Sequence, residues 1–307
     1  MRAGRSENVR GAGFMVLASI GFSINDAFMK TVAGEIPLFQ AVFMRGLIAT
    51  LLIGILAWRA GGLRYRPGRR DGRLIAMRSL GEIGGAACFL LALFNMPLAG
   101  ATAIMQSLPL AVTLGAALFL GEPVGWRRYL AIAVGFLGVL VIIRPGTDHF
   151  NAYALWAVAA IAFVVMRDLS TRRMSPGTPA MAVVFVTTAA LTVAAGLGIA
   201  ATGWAPLAPR HMGAFLVAAL CLLVGYTAAF VAMRQGEIGF VQPFRYTLLL
   251  SAIVLGIVMF GEWPDAWMLA GSAIVVATGL FTLHREQRRG RTAEVSGPVP
   301  EAGVSGG

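Results

Sequence analysis

Charged side chains inside long apolar stretches are the residues of this sequence most suited to chemistry. Acids and bases stand where an aliphatic residue would be the ordinary choice, at Asp26, Lys30, Arg45, Glu82 and Arg245. Ionisable groups in apolar surroundings are costly to bury, so they usually face an internal cavity. In such a cavity they can hold a charged ligand or exchange protons. These five positions are therefore candidates for a binding site or a pathway.

Two of the charges have a partner of opposite sign four residues away, which places both on one face of a helix. Asp26 precedes Lys30, and Arg78 precedes Glu82. Lys30 is the only lysine of the chain, and a buried lysine can lose its proton near neutral pH, whereas arginine cannot. The Asp26–Lys30 pair is accordingly predicted to be either a protonatable couple that senses the outer solution or a self-neutralising structural pair.

The remaining candidates either lack a local partner or are uncharged. Arg45 and Arg245 would have to pair with a ligand or with a carboxylate of another helix. Polar side chains within apolar stretches could hydrogen-bond a ligand or a neighbouring helix, and they are Asn95, Gln106, Tyr226 and Tyr246. The three histidines have no zinc or catalytic spacing and no nucleotide-binding sequence is present, so no metal and no cofactor are expected.

The composition determines which elements can position these residues. Of 307 residues, 58% are hydrophobic and 13% charged, and the mean hydropathy is +0.77. Soluble domains carry about 25% charged residues, which nearly excludes a soluble enzyme or nucleic-acid binder. A bilayer-spanning helix needs about 20 apolar residues. The chain offers ten such segments, at about 11–31, 38–58, 74–96, 99–120, 128–143, 152–170, 180–203, 212–236, 240–260 and 266–283.

Arginine placement predicts the orientation in the membrane. The head, the second, fourth and sixth loops and the tail are rich in arginine, whereas the opposite loops hold only Arg144 and Arg210. Positive charge stays on the cytoplasmic side, so both termini should be cytoplasmic in a multi-pass protein of a bacterial-type inner membrane. The net charge of +11 then reflects the lipid bilayer as partner and not a nucleic acid. Residues 286–307 are expected to form a disordered polar tail.

The sequence repeats itself after about 140 residues. Gly121-Glu122 and Gly261-Glu262 each end an apolar segment, each followed by a tryptophan and another segment. These four residues are interpreted as structural turns. The repeats cover residues 11–147 and 151–285, and five spans each would insert the second copy upside down. Inverted repeats are typical of secondary transporters, whose substrate site lies near the midplane. The predicted fold is an all-α membrane protein of two inverted five-helix repeats.

These motifs resemble the EamA type of the drug/metabolite transporter superfamily. The resemblance rests on P-L-x10-G-E-P from Pro109 to Pro123, on G-E-W at Gly261, and on F-M-R at Phe43–Arg45. It covers about residues 11–285 and implies a central cavity lined by spans one to four and six to nine.

The predicted function is alternating-access transport of a small organic metabolite. The slight positive excess among the intramembrane charges favours a zwitterion or anion, such as an amino acid, a flavin or an S-adenosylmethionine-like compound. A polytopic membrane enzyme acting on lipid-linked substrates is the alternative, but it would require a catalytic cluster within the bilayer, where no histidine lies. Small residues in spans five and ten, such as Gly135 and Ala273, leave open a homodimer surface.

Overall fold

The fold is almost entirely helical. The computed structural model describes residues 5–59, 66–122, 124–235 and 238–295, and within these ranges it contains no β-strand. Ten helical segments of the described chain are long and apolar enough to cross a membrane, as predicted. The helices are α1 Arg5–Thr31, α2 Leu38–Arg59, α3 Arg69–Asn95, α4 Leu98–Met105, α5 Leu108–Leu120, α6 Trp126–Ile143, α7 Ala154–Arg172, α8 Ala180–Thr202, α9 Pro209–Gln235, α10 Ile238–Val241, α11 Thr247–Phe260 and α12 Ala266–Val295.

Helix pairing follows the pattern expected of two related halves. The principal packing pairs are α1 with α9, α3 with α7, α2 with α8, and α6 with α12. The first half consists of α1 to α6, with α4 and α5 forming one span, and the second half runs from α7 to α12. If each span is matched to its counterpart in the other half, the α1–α9 pair corresponds to the α7–α3 pair. The α2–α8 and α6–α12 pairs each correspond to themselves. The pattern is consistent with the predicted repeat.

Small residues allow these helices to approach closely. A Cβ on Gly21 of α1 would lie 2.9 Å from the Cys221 carbonyl oxygen of α9, and one on Gly81 of α3 would lie 2.7 Å from the Phe163 carbonyl oxygen of α7. A Cβ on Gly271 of α12 would lie 2.6 Å from the Gly138 carbonyl oxygen of α6. Without a hydrophobic driving force in lipid, such backbone approach is a main source of helix association.

Two spans are interrupted at corresponding positions, which the sequence analysis did not anticipate. The fourth span breaks into α4 and α5 at Gln106 and Ser107, where the ring of Pro109 would clash with the Met105 carbonyl of a continuous helix. The ninth span begins with a 3₁₀ turn, Gln242–Tyr246, that carries Pro243 and leads into α11. Paired interruptions of this kind commonly mark the substrate site of a transporter.

Other boundaries also differ from the expectation. The first span extends back to Arg5 rather than beginning near residue 11. The last helix continues to Val295, so the first ten residues assigned to the polar tail are helical, and residues 296–307 lie outside the described residues.

Candidate functional site

An ion pair between Lys30 and Glu262 joins three parts of the structure at one face of the bundle. The Lys30 ammonium donates to the Glu262 carboxylate and, at 2.6 Å, to the Met96 carbonyl oxygen. The other Glu262 oxygen accepts the Leu98 backbone N–H at 2.8 Å, at the amino terminus of α4. A carboxylate is favourable there because the helix dipole is positive. We call Lys30, Glu262 and the Met96–Leu98 backbone the first latch.

The predicted Asp26–Lys30 pair is therefore wrong. Lys30 lies near the carboxyl end of α1, where it reaches the turn between α11 and α12, while Asp26 accepts a hydrogen bond from Asn25. Spacing of four residues placed the two on one helix face, but the tertiary contacts offered Lys30 a better-placed carboxylate.

A corresponding ion pair lies at the opposite face, where the amino terminus of α1 also lies. Arg172 near the end of α7 donates to Glu122 in the turn after α5, at 3.2 Å. Glu122 and Glu262 are the acids of the two repeated Gly-Glu turns. Gly121 and Gly261 adopt the left-handed conformation, with φ of 67° and 66°, that ends each preceding helix. We call the Arg172–Glu122 pair the second latch.

Between the latches, the side-chain amide of Asn25 bridges Asp26 and Arg45. The Asn25 side-chain N–H donates to Asp26 at 2.8 Å, and its carbonyl oxygen accepts from the Arg45 guanidinium at 3.2 Å. Arg45 and Asp26 also interact electrostatically. Arg45 is 8% exposed, and its Nε has no hydrogen-bond partner among the described residues. One donor of a buried guanidinium thus remains available to an anion.

Deeper along the bundle lies a second group of charges. Arg167 of α7 bonds Asp168 at 2.9 Å and reaches Glu82 of α3 at 3.3 Å. Arg78 donates to the Thr171 hydroxyl at 2.6 Å. Glu82 is thus in direct contact with Arg167 and not, as expected, with Arg78. Arg78 remains within electrostatic range of Glu82.

Tyr226 of α9 connects the two groups. Its hydroxyl lies within electrostatic range of Arg45 and Glu82, and its ring packs edge-on against Phe22 of α1 at 5.3 Å between centroids. Tyr226 is 41% exposed. Arg245, in the 3₁₀ turn, is exposed and lies within electrostatic range of Asp168, which attracts it, and of Arg167, which repels it. The central cluster comprises Asn25, Asp26, Arg45, Arg78, Glu82, Arg167, Asp168, Tyr226 and Arg245.

Besides Lys30 of the first latch, three predicted residues lie outside the central cluster. Asn95 is exposed at the end of α3, where it bonds its own helix and accepts from Asn151. Gln106 is buried at the break between α4 and α5. Tyr246 is buried, and its hydroxyl lies where a Cβ on Gly279 of α12 would stand, so it packs on the last helix.

The sequence analysis missed Asn25 and Arg167 and did not assign Asp168 to the site. Adjacent Arg167 and Asp168 within an apolar segment were an available signal. Asn25 gave no such signal because a lone amide beside a charged residue is compatible with many roles. Within the described residues, no group of three or more His, Cys, Asp or Glu could hold a metal ion.

Two carboxylates at the face of the first latch titrate outside the spanning segments. Hydrogen bonds from Arg210 and His211 hold the pKa of Glu35 below its usual value. Partial burial would raise the pKa of Asp265, but the Met268 N–H at 2.7 Å and the Arg144 guanidinium outweigh it and lower that pKa. Both acids stay ionised at neutral pH and tie loops to helix ends.

A cluster of opposite charges between two latches is the arrangement expected of a transporter, and comparison with known proteins tests this. Residues 9–144 match the profile of the EamA-like transporter family. The predicted resemblance to EamA-type transporters is confirmed. A solved crystal structure of 17% sequence identity aligns with a TM-score of 0.62 over 92% of this chain and 99% of that chain, which supports the fold.

Curated relatives along nearly the whole chain are transporters. A riboflavin transporter of Rhizobium johnstonii is 29% identical, covering 93% of this chain and 95% of the relative. An S-adenosylmethionine uptake transporter of Rickettsia felis is 24% identical over 91% and 94%. A pseudopaline exporter of Pseudomonas aeruginosa is 28% identical over 85% and 91%. The chain is a multi-pass membrane protein of transporter type, and the relatives' names indicate transport rather than enzymatic activity.

Proposed function

We propose that this protein is a secondary transporter that carries a small organic anion or zwitterion across a bacterial-type inner membrane by alternating access. The observation that carries the proposal is the central cluster, in which four arginines face three carboxylates between the two faces of the bundle. Charged groups within membrane-spanning segments mark substrate pathways. The named relatives handle dissimilar metabolites, so they support the transporter class and leave the cargo to the cluster's chemistry.

The cluster has one more positive than negative side chain, which favours a cargo that brings a carboxylate or phosphate. Arg45 is the proposed anchor because its Nε is unpaired among the described residues and its Nη1 is held only through an amide. A guanidinium can bind a carboxylate through two parallel hydrogen bonds. Phe22 and Tyr226 pack edge-on against each other, and Tyr226 lies within electrostatic range of Arg45. These rings would pack on an aromatic or aliphatic part of the cargo.

Alternating access would use the two latches as gates. Opening the first latch would separate α1 from the α3–α4 junction and from the turn before α12, and opening the second would separate α7 from the turn after α5. In the predicted orientation the first latch is periplasmic and the second cytoplasmic. Reporter fusions at Gly100 and Gly203 should then score outside and those at Gly68 and Ser175 inside.

The test of this function begins with a thermal-shift screen of the purified protein. Riboflavin, S-adenosylmethionine, amino acids and carboxylate-bearing amines are the probes, since a bound ligand stabilises in proportion to the logarithm of its excess over Kd. Hits are then followed as labelled cargo in proteoliposomes.

We expect Arg45→Ala to abolish flux and Arg45→Lys to remain severely impaired, because an ammonium does not reproduce the bidentate fork. Arg59→Ala, at the exposed end of the same helix, is the matched control and should transport normally. Normal flux by a well-inserted Arg45→Ala protein would contradict the proposed anchor. The cargo assignment would be contradicted if none of the probe classes bound.

A further inference from the structure

Four arginines converge on one surface cavity at the face of the second latch. Arg69, Arg70 and Arg73 come from the first turns of α3, and Arg173 follows the end of α7. Together with Leu74 they line an open cavity of about 710 Å³. The nearby Asp71 is turned away, since it accepts hydrogen bonds from Ser175 and Thr178 at 3.2 Å. A preference for positive charge on the cytoplasmic side explains arginines on this face but not their convergence around one cavity.

This cavity continues into an apolar crevice. A second cavity, of about 630 Å³, shares Leu74 and Arg173 with the first and runs between α3, α5, α6 and α7. Its other walls are apolar except for Ser107 and Ser170, and Leu118 and Phe119 at its edge are 66% and 68% exposed. From Arg173 to Val158 the crevice follows α7 for about 22 Å at 1.5 Å per residue.

The combination has the chemistry of one class of molecule. Clustered guanidiniums recognise phosphate oxygens, and basic pockets between spanning helices on the cytoplasmic side bind anionic headgroups. An apolar crevice longer than half of a roughly 30 Å hydrocarbon core accepts an acyl chain. A soluble anion would leave the crevice unfilled, and a neutral lipid would leave four arginines without a counter-charge.

We propose that an anionic phospholipid binds here, its phosphate on the arginines at the rim and one acyl chain in the crevice between α3, α5 and α7. This site is separate from the central cluster. It would fix the position of α5, whose carboxyl end leads into the Gly121-Glu122 turn and whose Phe119 carbonyl accepts a hydrogen bond from Arg173. The lipid would thereby support the second latch from outside.

The test compares three probes on the full-length protein after delipidation in a neutral detergent. Phosphatidylglycerol, phosphatidylcholine with identical acyl chains, and glycerol 3-phosphate are titrated, and binding is read by native mass spectrometry and by thermal shift. We expect phosphatidylglycerol to bind at least about tenfold more tightly than phosphatidylcholine. Glycerol 3-phosphate should give no shift at the same concentration. Equal binding of the two lipids, or binding of glycerol 3-phosphate as tight as that of the lipid, would overturn the proposal.

Two pairs of variants test the two halves of the site separately. Arg69→Gln combined with Arg73→Gln should remove the preference for phosphatidylglycerol, whereas Arg66→Gln, on the same face but outside the cavity, should keep it. Arg70 and Arg173 are left intact because they also bond backbone carbonyls. Ala162→Trp should block the crevice and weaken phosphatidylglycerol, whereas Ala270→Trp on exposed α12 should not. If the arginine pair or the tryptophan has no more effect than its control, the site is not the one proposed.

Discussion

The two latches are built from the same repeated turn yet differ in how firmly they hold. In the first, the Lys30 and Glu262 side chains are 10% and 20% exposed, and the carboxylate also accepts the Leu98 N–H. In the second, Arg172 and Glu122 are both 51% exposed at a distance of 3.2 Å. Exposed ion pairs contribute about 0–1 kcal/mol, whereas breaking a buried one costs several. In this structure the first latch is therefore held by a largely buried ion pair, whereas the second is held only by a weak, exposed one.

The difference in strength between the two latches bears on the transport mechanism. Two related halves can exchange roles only if each latch is strong in one conformation and weak in the other. If the second latch becomes the buried one when the first opens, the asymmetry belongs to this conformation. If it does not, the asymmetry belongs to the sequence, since lysine and arginine occupy the corresponding positions.

The largest expected effect is the loss of the first latch. Glu262→Gln should lower the free energy of unfolding by about 2 kcal/mol, below the full value for a buried pair because the groups keep some contact with solvent. Glu122→Gln should lower it by less than about 1 kcal/mol. Denaturation in mixed micelles measures both, and equal losses would show that burial does not distinguish the latches.

Double-mutant cycles sharpen the same comparison. Lys30→Met with Glu262→Leu should be less destabilising than the sum of the single changes, because neither partner is then left as an uncompensated charge. We expect a coupling of about 1.5 kcal/mol there and about 0.3 kcal/mol for Arg172→Met with Glu122→Leu. A second-latch coupling as large as the first would mean that Arg172 and Glu122 are buried together in solution.

The dependence of stability on ionic strength should also distinguish the two latches, although the expected effect is smaller. Raising the ionic strength from about 0.03 M to about 0.5 M screens exposed charges far more than buried ones. The stability difference between wild type and Glu122→Gln should therefore shrink by a few tenths of a kcal/mol, while that for Glu262→Gln should change less. Unfolding curves at the two salt concentrations check this, and a larger salt effect on Glu262→Gln would reverse the assignment.

The smallest effect concerns Asp265, beside the first latch. Its lowered pKa means that the folded state holds the ionised form more firmly than the unfolded state does. Its contribution is therefore present above the usual pKa of 3.8 and is lost as the pH falls through the lower folded value. Arg144→Gln should flatten the pH dependence of stability in that range. An unchanged profile between about pH 5 and pH 3 would show that Arg144 does not support Asp265.

The sequence predicted individual charged positions better than it predicted their partners. Asp26, Arg45, Glu82, Tyr226 and Arg245 were selected because polar groups in apolar segments are costly, and the structure brings all five into the central cluster. Asn95 and Tyr246 were selected by the same reasoning but lie at a helix end and against α12. Cost of burial identifies a residue that needs a partner, but it does not say on which side of the helix that partner lies.

The sequence by itself determined the number of spans, their type and the repeated Gly-Glu turns, because these depend on segment length, hydropathy and local backbone chemistry. Only the tertiary structure decided that Lys30 pairs with Glu262, 232 residues away, rather than with Asp26. It also decided that Arg167 takes Glu82 from Arg78 as a direct partner. An i,i+4 spacing offers a pair worth only a few tenths of a kcal/mol in an isolated helix. A partner that tertiary packing brings into direct contact outweighs it, and which segment supplies that partner depends on packing between segments far apart in the chain.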